Sequence, residues 1–315
     1  MVKEPIPLEQ TIAEILDPDK PLTNARLTCL SDLNNEELEL LRQAWSDVDV
    51  MRRRQVMSQL IHLSEVDFKL DFSSIFISCL ADSDETVRTQ AIDGLEIEED
   101  YRFINPLLKS MREDSSVRVR AAAAIALGKF TLSGELGELS TDYTNKIYSA
   151  LLDILDNKTE STEVKSRALE AIAPLSLPRI IELITEAYHT GNFKLKASAI
   201  HAMGRNCNPR WLNILLTELN SNEAEIRYVA ANACGELGAD EAVPHLIKLI
   251  KDEDDQVQEA AIGALGVIGG EQAEQILRKL VQDTHERIRQ AAKSALEEIH
   301  FCEDLPSLNL YSDHQ

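Results

Sequence analysis

The sequence predicts an all-helical fold in which two-helix units stack into a solenoid. Three observations predict it: a period near 31 residues that recurs along the chain, fixed columns of small residues inside that period, and a composition with only 5% aromatics, 12 Gly and 10 Pro in 315 residues. A length prior of one domain per 100–200 residues does not apply to such a chain, because repeat proteins grow by adding units.

Seven segments share one pattern: Val87–Arg88, Val117–Arg118, Val164–Lys165, Leu195–Lys196, Ile226–Arg227, Val257–Gln258 and Ile288–Arg289, at steps of 30, 47, 31, 31, 31 and 31 residues. Four residues after each aliphatic position stands Ala (Ala91, Ala121, Ala168, Ala199, Ala230, Ala261, Ala292). Seven after it stands Gly or Ala (Gly94, Ala124, Ala171, Ala202, Ala233, Ala264, Ala295). Eight after it the residue is mostly large and apolar, as in Leu95, Ile125, Ile172, Met203, Cys234, Leu265 and Leu296. Positions 0, 4, 7, 8 and 11 fall on one side of a helix of 3.6 residues per turn, so this helix buries one face. Small residues let backbones approach, large ones fill the space between layers, and Cys234 reads as a core residue.

A first helix precedes each of these. It is signalled by Pro106, Pro178, Pro209 and Pro244 ahead of apolar residues at i, i+3, i+4 and i+7, and proline is tolerated in the first turn of a helix. Acidic turns separate the two helices (Asp82-Ser-Asp-Glu85, Glu113-Asp114, Asp252-Glu-Asp-Asp255) and complement the positive end of the helix that follows. Each unit is helix, acidic turn, helix, small loop.

Stretches such as Asp254-Asp-Gln-Val-Gln-Glu-Ala-Ala-Ile-Gly-Ala-Leu-Gly266 resemble the HEAT repeat, in the short bacterial form also seen in phycobilisome-lyase-type repeat proteins. The resemblance covers residues 72–300 and, more weakly, 35–70. It implies a right-handed α-solenoid (an α-α superhelix) of about seven to eight helix pairs and leaves function open, since such repeats serve many partners. Arg88, Arg118, Lys165, Lys196, Arg227 and Arg289 form a basic column with one exception, Gln258. In HEAT-like stacks such a column ties neighbouring layers together through acidic turns; phosphate binding is the alternative.

Residues 1–34 read as a capping helix, Leu8–Leu16, and a linker. Residues 35–301 read as the array, beginning with a divergent repeat over 35–70 (helices Glu36–Trp45 and Val50–Leu63, with Arg52-Arg-Arg54 near the start of the second). Residues 302–315 read as a loose tail. The long step holds an insertion at 130–146, FTLSGELGELSTDYTNK. Such an insertion forms either a partner-contacting loop or a helix extension packed on its neighbour.

Fifty-four acidic against 32 basic side chains give a formal charge of −22. That surface repels phosphate backbones and anionic membranes, so neither nucleic acid nor membrane is an expected partner. It serves solubility, or selects a protein partner with a basic surface. Cys29, Cys79, Cys207, Cys234 and Cys302 lack CxxC spacing and any companion His cluster, so neither a disulfide framework nor a metal site is expected. The N-terminus has no apolar segment before a small-residue cleavage site, and no stretch approaches 18 apolar residues. A cytoplasmic protein is the expectation.

No Gly-rich phosphate loop, GxSxG or HExxH occurs, and no catalytic residue or cofactor is expected. HEAT-repeat deoxyhypusine hydroxylases use several His-Glu dipeptides; this chain has one, His285-Glu286. In HEAT-like stacks the second helices line the concave face, and positions 2, 6 and 10 oppose the buried stripe. Along the array this gives Thr89 and Asp93, Ser166 and Glu170, then His201, Arg205, Tyr228, Asn232, Glu236 and Glu259. The last six are the candidate partner-binding residues, Tyr, Arg and Asn being suited to protein contacts; an ordinary solvated helix face is the alternative. The expected function is a non-catalytic protein-interaction scaffold or adaptor, with a bilin lyase or chaperone as the second reading.

Overall fold

Among the described residues of the computed structural model, 7–97 and 100–304, every regular element is helical. Two units divide the chain, before and after the boundary Ile172/Ala173. The first opens with α1 (Leu8–Leu16) and α2 (Asn24–Leu27). Four helix pairs follow: α3 (Asn35–Trp45) with α4 (Val50–Val66), α5 (Ser73–Cys79) with α6 (Glu85–Glu96), α7 (Ile104–Glu113) with α8 (Val117–Glu135), and α9 (Thr141–Asp156) with α10 (Thr162–Ile172). The second holds four more: α11 (Pro178–Tyr188) with α12 (Phe193–Arg205), α13 (Leu212–Glu218) with α14 (Ala224–Leu237), α15 (Val243–Leu249) with α16 (Asp255–Ile268), and α17 (Gly270–Leu280) with α18 (Glu286–Asp304). Within each unit every second helix packs on the second helix of the next pair, so the fold is an α-solenoid. α18 runs to Asp304; the expected tail from there on, 305–315, lies outside the described residues.

Local chemistry sets the helix ends. Asp84 accepts from Thr86 and Val87 N–H, Asp254 from Gln256 and Val257 N–H, and Asn192 from Leu195 N–H, each satisfying donors that a helix start leaves open. Asn34 and Glu37 form a reciprocal capping box on α3. Pro178 begins α11 and Pro244 sits in the first turn of α15, whereas Pro209 starts a 3₁₀ turn that leads into α13.

The alanine column is buried throughout, and glycine explains the spacing between second helices. A Cβ on Gly204 of α12 would lie 2.7 Å from Ala233 Cα, one on Gly235 of α14 3.0 Å from Ala264 Cα, and one on Gly266 of α16 2.7 Å from Ala295 Cβ. These glycines recur every 31 residues, and each faces the position-7 alanine of the next second helix. At Gly204 and Gly266 the helices are closer than a Cβ permits, and at Gly235 a Cβ would fit only if the neighbour gave by a few tenths of an ångström.

In one unit the expected register is corrected. Val117 and Ile125 of α8 are solvent-exposed, while Val119, Ala123, Ala126 and Leu127 are buried. The arginine equivalent to Arg88 is Arg120, not Arg118. Arg120 Nη1 donates to the carbonyls of Asp114 and Ser115, six and five residues back, as Arg88 does to Asp82 and Ser83 and Arg227 to Ser221 and Asn222. With Val119 as position 0, position 9 becomes Gly128, whose Cβ would lie 3.3 Å from Ala171 Cα, the same seam as in the second unit. Val-Arg-Val-Arg followed by four alanines allows both registers; the choice falls on the one that buries Leu127 and lets Gly128 meet α10.

The insertion at 130–146 lengthens helices. α8 continues to Glu135 and α9 starts at Thr141, leaving a short connection around Gly137, which has φ +77°. Phe130 and Thr131 are buried, Thr131 Oγ1 donates to Ala171 O, and Gly134 lies against Thr144.

Ion pairs join consecutive turns. Arg53 pairs with Asp82 (Nη1–Oδ2 2.6 Å), Arg88 with Asp114 (2.7 Å), Arg120 with Glu160 (2.7 Å) and Arg227 with Asp252 (2.7 Å). Burial opposes ionisation of Asp114, Glu160 and Asp252, but hydrogen bonds from their arginines outweigh it and hold these carboxyls below the usual range. Lys196 reaches Glu218 at 2.9 Å. At the last interface, where Gln258 replaces the arginine, Arg287 of α18 reaches back to Asp255 (2.6 Å) and Glu259 (3.0 Å). Arg289 stays within its own repeat, paired with Glu286 and bonded to the carbonyls of Asp283 and Thr284.

Three predictions follow from this packing. Gly266→Ala should destabilise by about 1–3 kcal/mol through overpacking, whereas Gly263→Ala on the same helix, with open space around its Cβ position, should stabilise by about 0.5–1 kcal/mol through helix propensity; urea denaturation reads both signs. Arg227→Ala should cost about 3–5 kcal/mol, because it strands a buried carboxylate. Asp84, held near 2 by its hydrogen bonds from Arg54, contributes stability that is present above the ordinary carboxyl value of about 4 and lost as pH falls towards 2. Thermal melts should therefore drop through that window, with a shallower slope for Asp84→Asn.

Candidate functional site

The second helices α12, α14 and α16 carry the candidate residues of the second unit, and the 31-residue period aligns them in a grid. Position 2 reads Ala197, Tyr228, Glu259; position 6 reads His201, Asn232, Gly263; position 10 reads Arg205, Glu236, Val267. The glycine seam beneath fixes the lateral spacing, so the grid is as rigid as the backbone contact.

His201, Arg205 and Glu236 come together. Glu236 Oε2 lies over Gly204, 2.6 Å from where a Cβ would stand. Burial of this carboxylate against α12 raises its pKa, and the nearby His201 and Arg205 act in the opposite sense. His201 is half-buried, and its Nδ1 has no hydrogen-bond partner. Tyr228 is 40% exposed and Asn232 half-buried, beside the charged cluster. Glu259 is exposed, but its carboxylate is engaged by Arg287 at 3.0 Å.

Val267, 56% exposed, extends position 10 and was not among the sequence candidates. The signal existed: it stands 31 residues after Glu236, which itself stands 31 after Arg205. Gly263 leaves an open space at position 6. From Arg205 to Val267 the surface passes from charged to apolar.

In the first unit the same stripe departs from expectation. Thr89 and Ser166 are buried: Thr89 Oγ1 bonds to Glu85 O of its own helix, and Ser166 is enclosed on α10. Asp93 is exposed, and Arg118, also exposed, acts electrostatically on it. Lys165 and Glu170 are half-buried. Ile125, 41% exposed, faces a shallow groove shared with Val117, Ala121 and Arg118.

The thiols of Cys79, Cys207 and Cys234 are poor nucleophiles. Burial pushes Cys79 and Cys234 up to about 12. Cys207 is also raised, by burial and then by Glu236, and its Sγ donates to Gly204 O at 3.3 Å. Such groups are protonated near neutrality. His285 is exposed and hydrogen-bonds Asp283 Oδ1 at 2.9 Å. Among the described residues no cluster of three or more His, Cys, Asp or Glu is arranged to hold a metal ion, and no helix is long and apolar enough to cross a membrane.

Comparison with known proteins places this geometry. The family described as HEAT repeats matches residues 212–297, and the single HEAT repeat matches residues 103–133. No curated protein sequence matches the chain. Among solved structures, the complex of CpcE and CpcF of phycocyanin lyase from Nostoc sp. PCC7120 superposes with a TM-score of 0.53 at 14% identity, covering 96% of each chain. Human deoxyhypusine hydroxylase in complex with glycerol gives a TM-score of 0.37 at 15% identity, covering 93% of this chain and 96% of that one. Kap121p bound to Pho4p gives 0.49 at 16%, covering 93% and 37%. At these identities the likeness is one of fold. HEAT repeats are matched at residues 103–133 and 212–297, and Gly128, Gly235 and Gly266 of the seam lie within these stretches.

Proposed function

We propose that the chain is a non-catalytic scaffold that holds a protein partner on the second-helix face of its C-terminal unit. His201, Arg205, Tyr228, Asn232 and Glu236 are the contact residues, extended by Val267. The observation that carries this reading is the grid itself: an exposed tyrosine and an exposed valine flank a charged cluster in which the exposed Glu236 lays its carboxylate against Gly204 of the neighbouring helix. Aromatic and arginine anchors beside an apolar neighbour supply most of the binding energy of protein interfaces. The partner's complementary surface is basic, since the chain carries a formal charge of −22 and opposite potentials speed and orient association. Arg205 then meets a carboxylate within that surface. Glu259, held by Arg287, contributes charge at the rim.

The test is affinity capture from host lysate with wild type beside the Tyr228→Ala, Arg205→Ala double variant, followed by identification of captured proteins. The expected outcome is one partner retained by wild type and lost by the variant, a weakening of at least about 2 kcal/mol, while circular dichroism and melting stay unchanged. Capture should also weaken as salt rises, because rim charges are screened. Equal capture by both proteins contradicts the assignment of this face. A tetrapyrrole-handling role would show instead as visible absorbance retained after addition of bilin.

A further inference from the structure

A second site lies in the first unit, apart from the second-helix face. Between α3 and α5 and the turn that follows α5 is a cavity of about 300 Å³, at the lower end of the range for small-molecule sites. Its floor is apolar, formed by Leu41, Trp45, Ile75 and Cys79. Burial keeps the Cys79 thiol neutral, with a pKa of about 12, so it acts as an apolar wall. Two guanidinium groups, of Arg42 and Arg53, also line it.

The hydrogen-bond inventory around these arginines is incomplete. Asp82, whose side chain is 1% exposed, accepts from Trp45 Nε1 at 2.7 Å, from Arg53 Nη1 at 2.6 and 2.7 Å, and from Asp84 N–H at 2.8 Å. That carboxylate is fully used. The Arg53 side chain is only 11% exposed; its Nε is buried within the wall without a partner, and its Nη2 donates to Ser83 Oγ at 3.4 Å. A buried donor without an acceptor is a costly arrangement, more so on a charged group. Arg42 donates through Nε to Ser78 Oγ at 2.8 Å, and its Nη1 stands 3.8 Å from Glu39, beyond hydrogen-bond reach. Two guanidiniums against one carboxylate therefore line this cavity, in a chain whose overall charge is strongly negative.

We propose that this cavity binds a carboxylate carried on a short aliphatic body: the carboxylate is held by the half-exposed guanidinium of Arg42, with Arg53 as a second positive charge in the wall, and the aliphatic part rests on Leu41, Trp45 and Ile75. A guanidinium–carboxylate contact supplies charge-assisted hydrogen bonds, and the apolar floor selects against small inorganic anions. Both a free aliphatic acid and the C-terminal carboxylate of a peptide ending in an aliphatic residue present this chemistry. The inference does not depend on the partner reading of the second unit.

Trp45 lines the site and the chain has two tryptophans, the other being Trp211. Their two indole N–H resonances in a ¹⁵N spectrum of the full chain serve as reporter and internal control. The probes are 4-methylpentanoate, its neutral amide, a peptide ending in a free leucine carboxylate, and the same peptide amidated. The expected result is a saturable shift of Trp45 with Trp211 unmoved, produced by one or both carboxylates and about tenfold weaker or absent with the amides. Movement by 4-methylpentanoate assigns a free acid; movement by the peptide alone assigns a chain terminus. Arg42→Gln, a change at a half-exposed side chain, should weaken binding about tenfold with melting unchanged. No shift with either carboxylate, equal shifts with acid and amide, or binding insensitive to Arg42→Gln would each overturn the proposal.

Discussion

The close approach of successive second helices, glycine against alanine, is the constraint on which the rest depends. At Gly204 and Gly266 the neighbouring helix occupies the volume that a Cβ would take, and at Gly235 it crowds that volume. Everything lateral to that contact inherits its spacing: the buried aliphatic column, the ion pairs that step from turn to turn, and the outward grid at positions 2, 6 and 10. A period of 31 residues is thus a statement about backbone distance as much as about pattern. Loosening one seam displaces every side chain that faces outward from it.

The ion pairs add a second tie of a different kind. Arg88, Arg120 and Arg227 each hold two carbonyls of their own turn and one carboxylate of the next, so they fix the loop edge of the stack while the glycine seam fixes the helix faces. Buried pairs of this sort add little net stability against an apolar alternative but penalise wrong arrangements. Where the sequence offers Gln258 in place of an arginine, Arg287 supplies the tie from the opposite side. The clamping pairs match one base to one acid each, so the formal excess of 22 acidic groups lies outside them and is available to a partner.

The repeat, its helix pairs and its alanine column were legible from period and pattern alone, because burial on a helix leaves a 3.6-residue trace. Four features were not. The register of α8 was ambiguous, since Val117-Arg118-Val119-Arg120 satisfies the pattern twice; only packing of Leu127 and Gly128 separates the two. The burial of Thr89 and Ser166 was hidden, because a small hydroxyl residue reads as polar whether or not a neighbouring helix covers it. The clamping role of Arg53 was hidden inside Arg52-Arg-Arg54, where three arginines in a row serve three places: Arg52 caps the carbonyls of Ile15 and Lys20, Arg53 binds Asp82, and Arg54 binds Asp84. The candidate grid was readable as positions. The tucking of Glu236 over Gly204 was not, because it depends on the absence of a side chain on the adjacent helix.

The central claim is that the second-helix face of the C-terminal unit holds the partner. Hydroxyl-radical footprinting of the chain, free and bound to the protein it captures, tests it most directly, since the side chains at issue are exposed and oxidisable. The account predicts that Tyr228 and Val267 lose reactivity in the complex while Phe68 and Tyr101 of the first unit, also exposed, keep theirs. Protection of Phe68 or Tyr101 with Tyr228 and Val267 unchanged would contradict it.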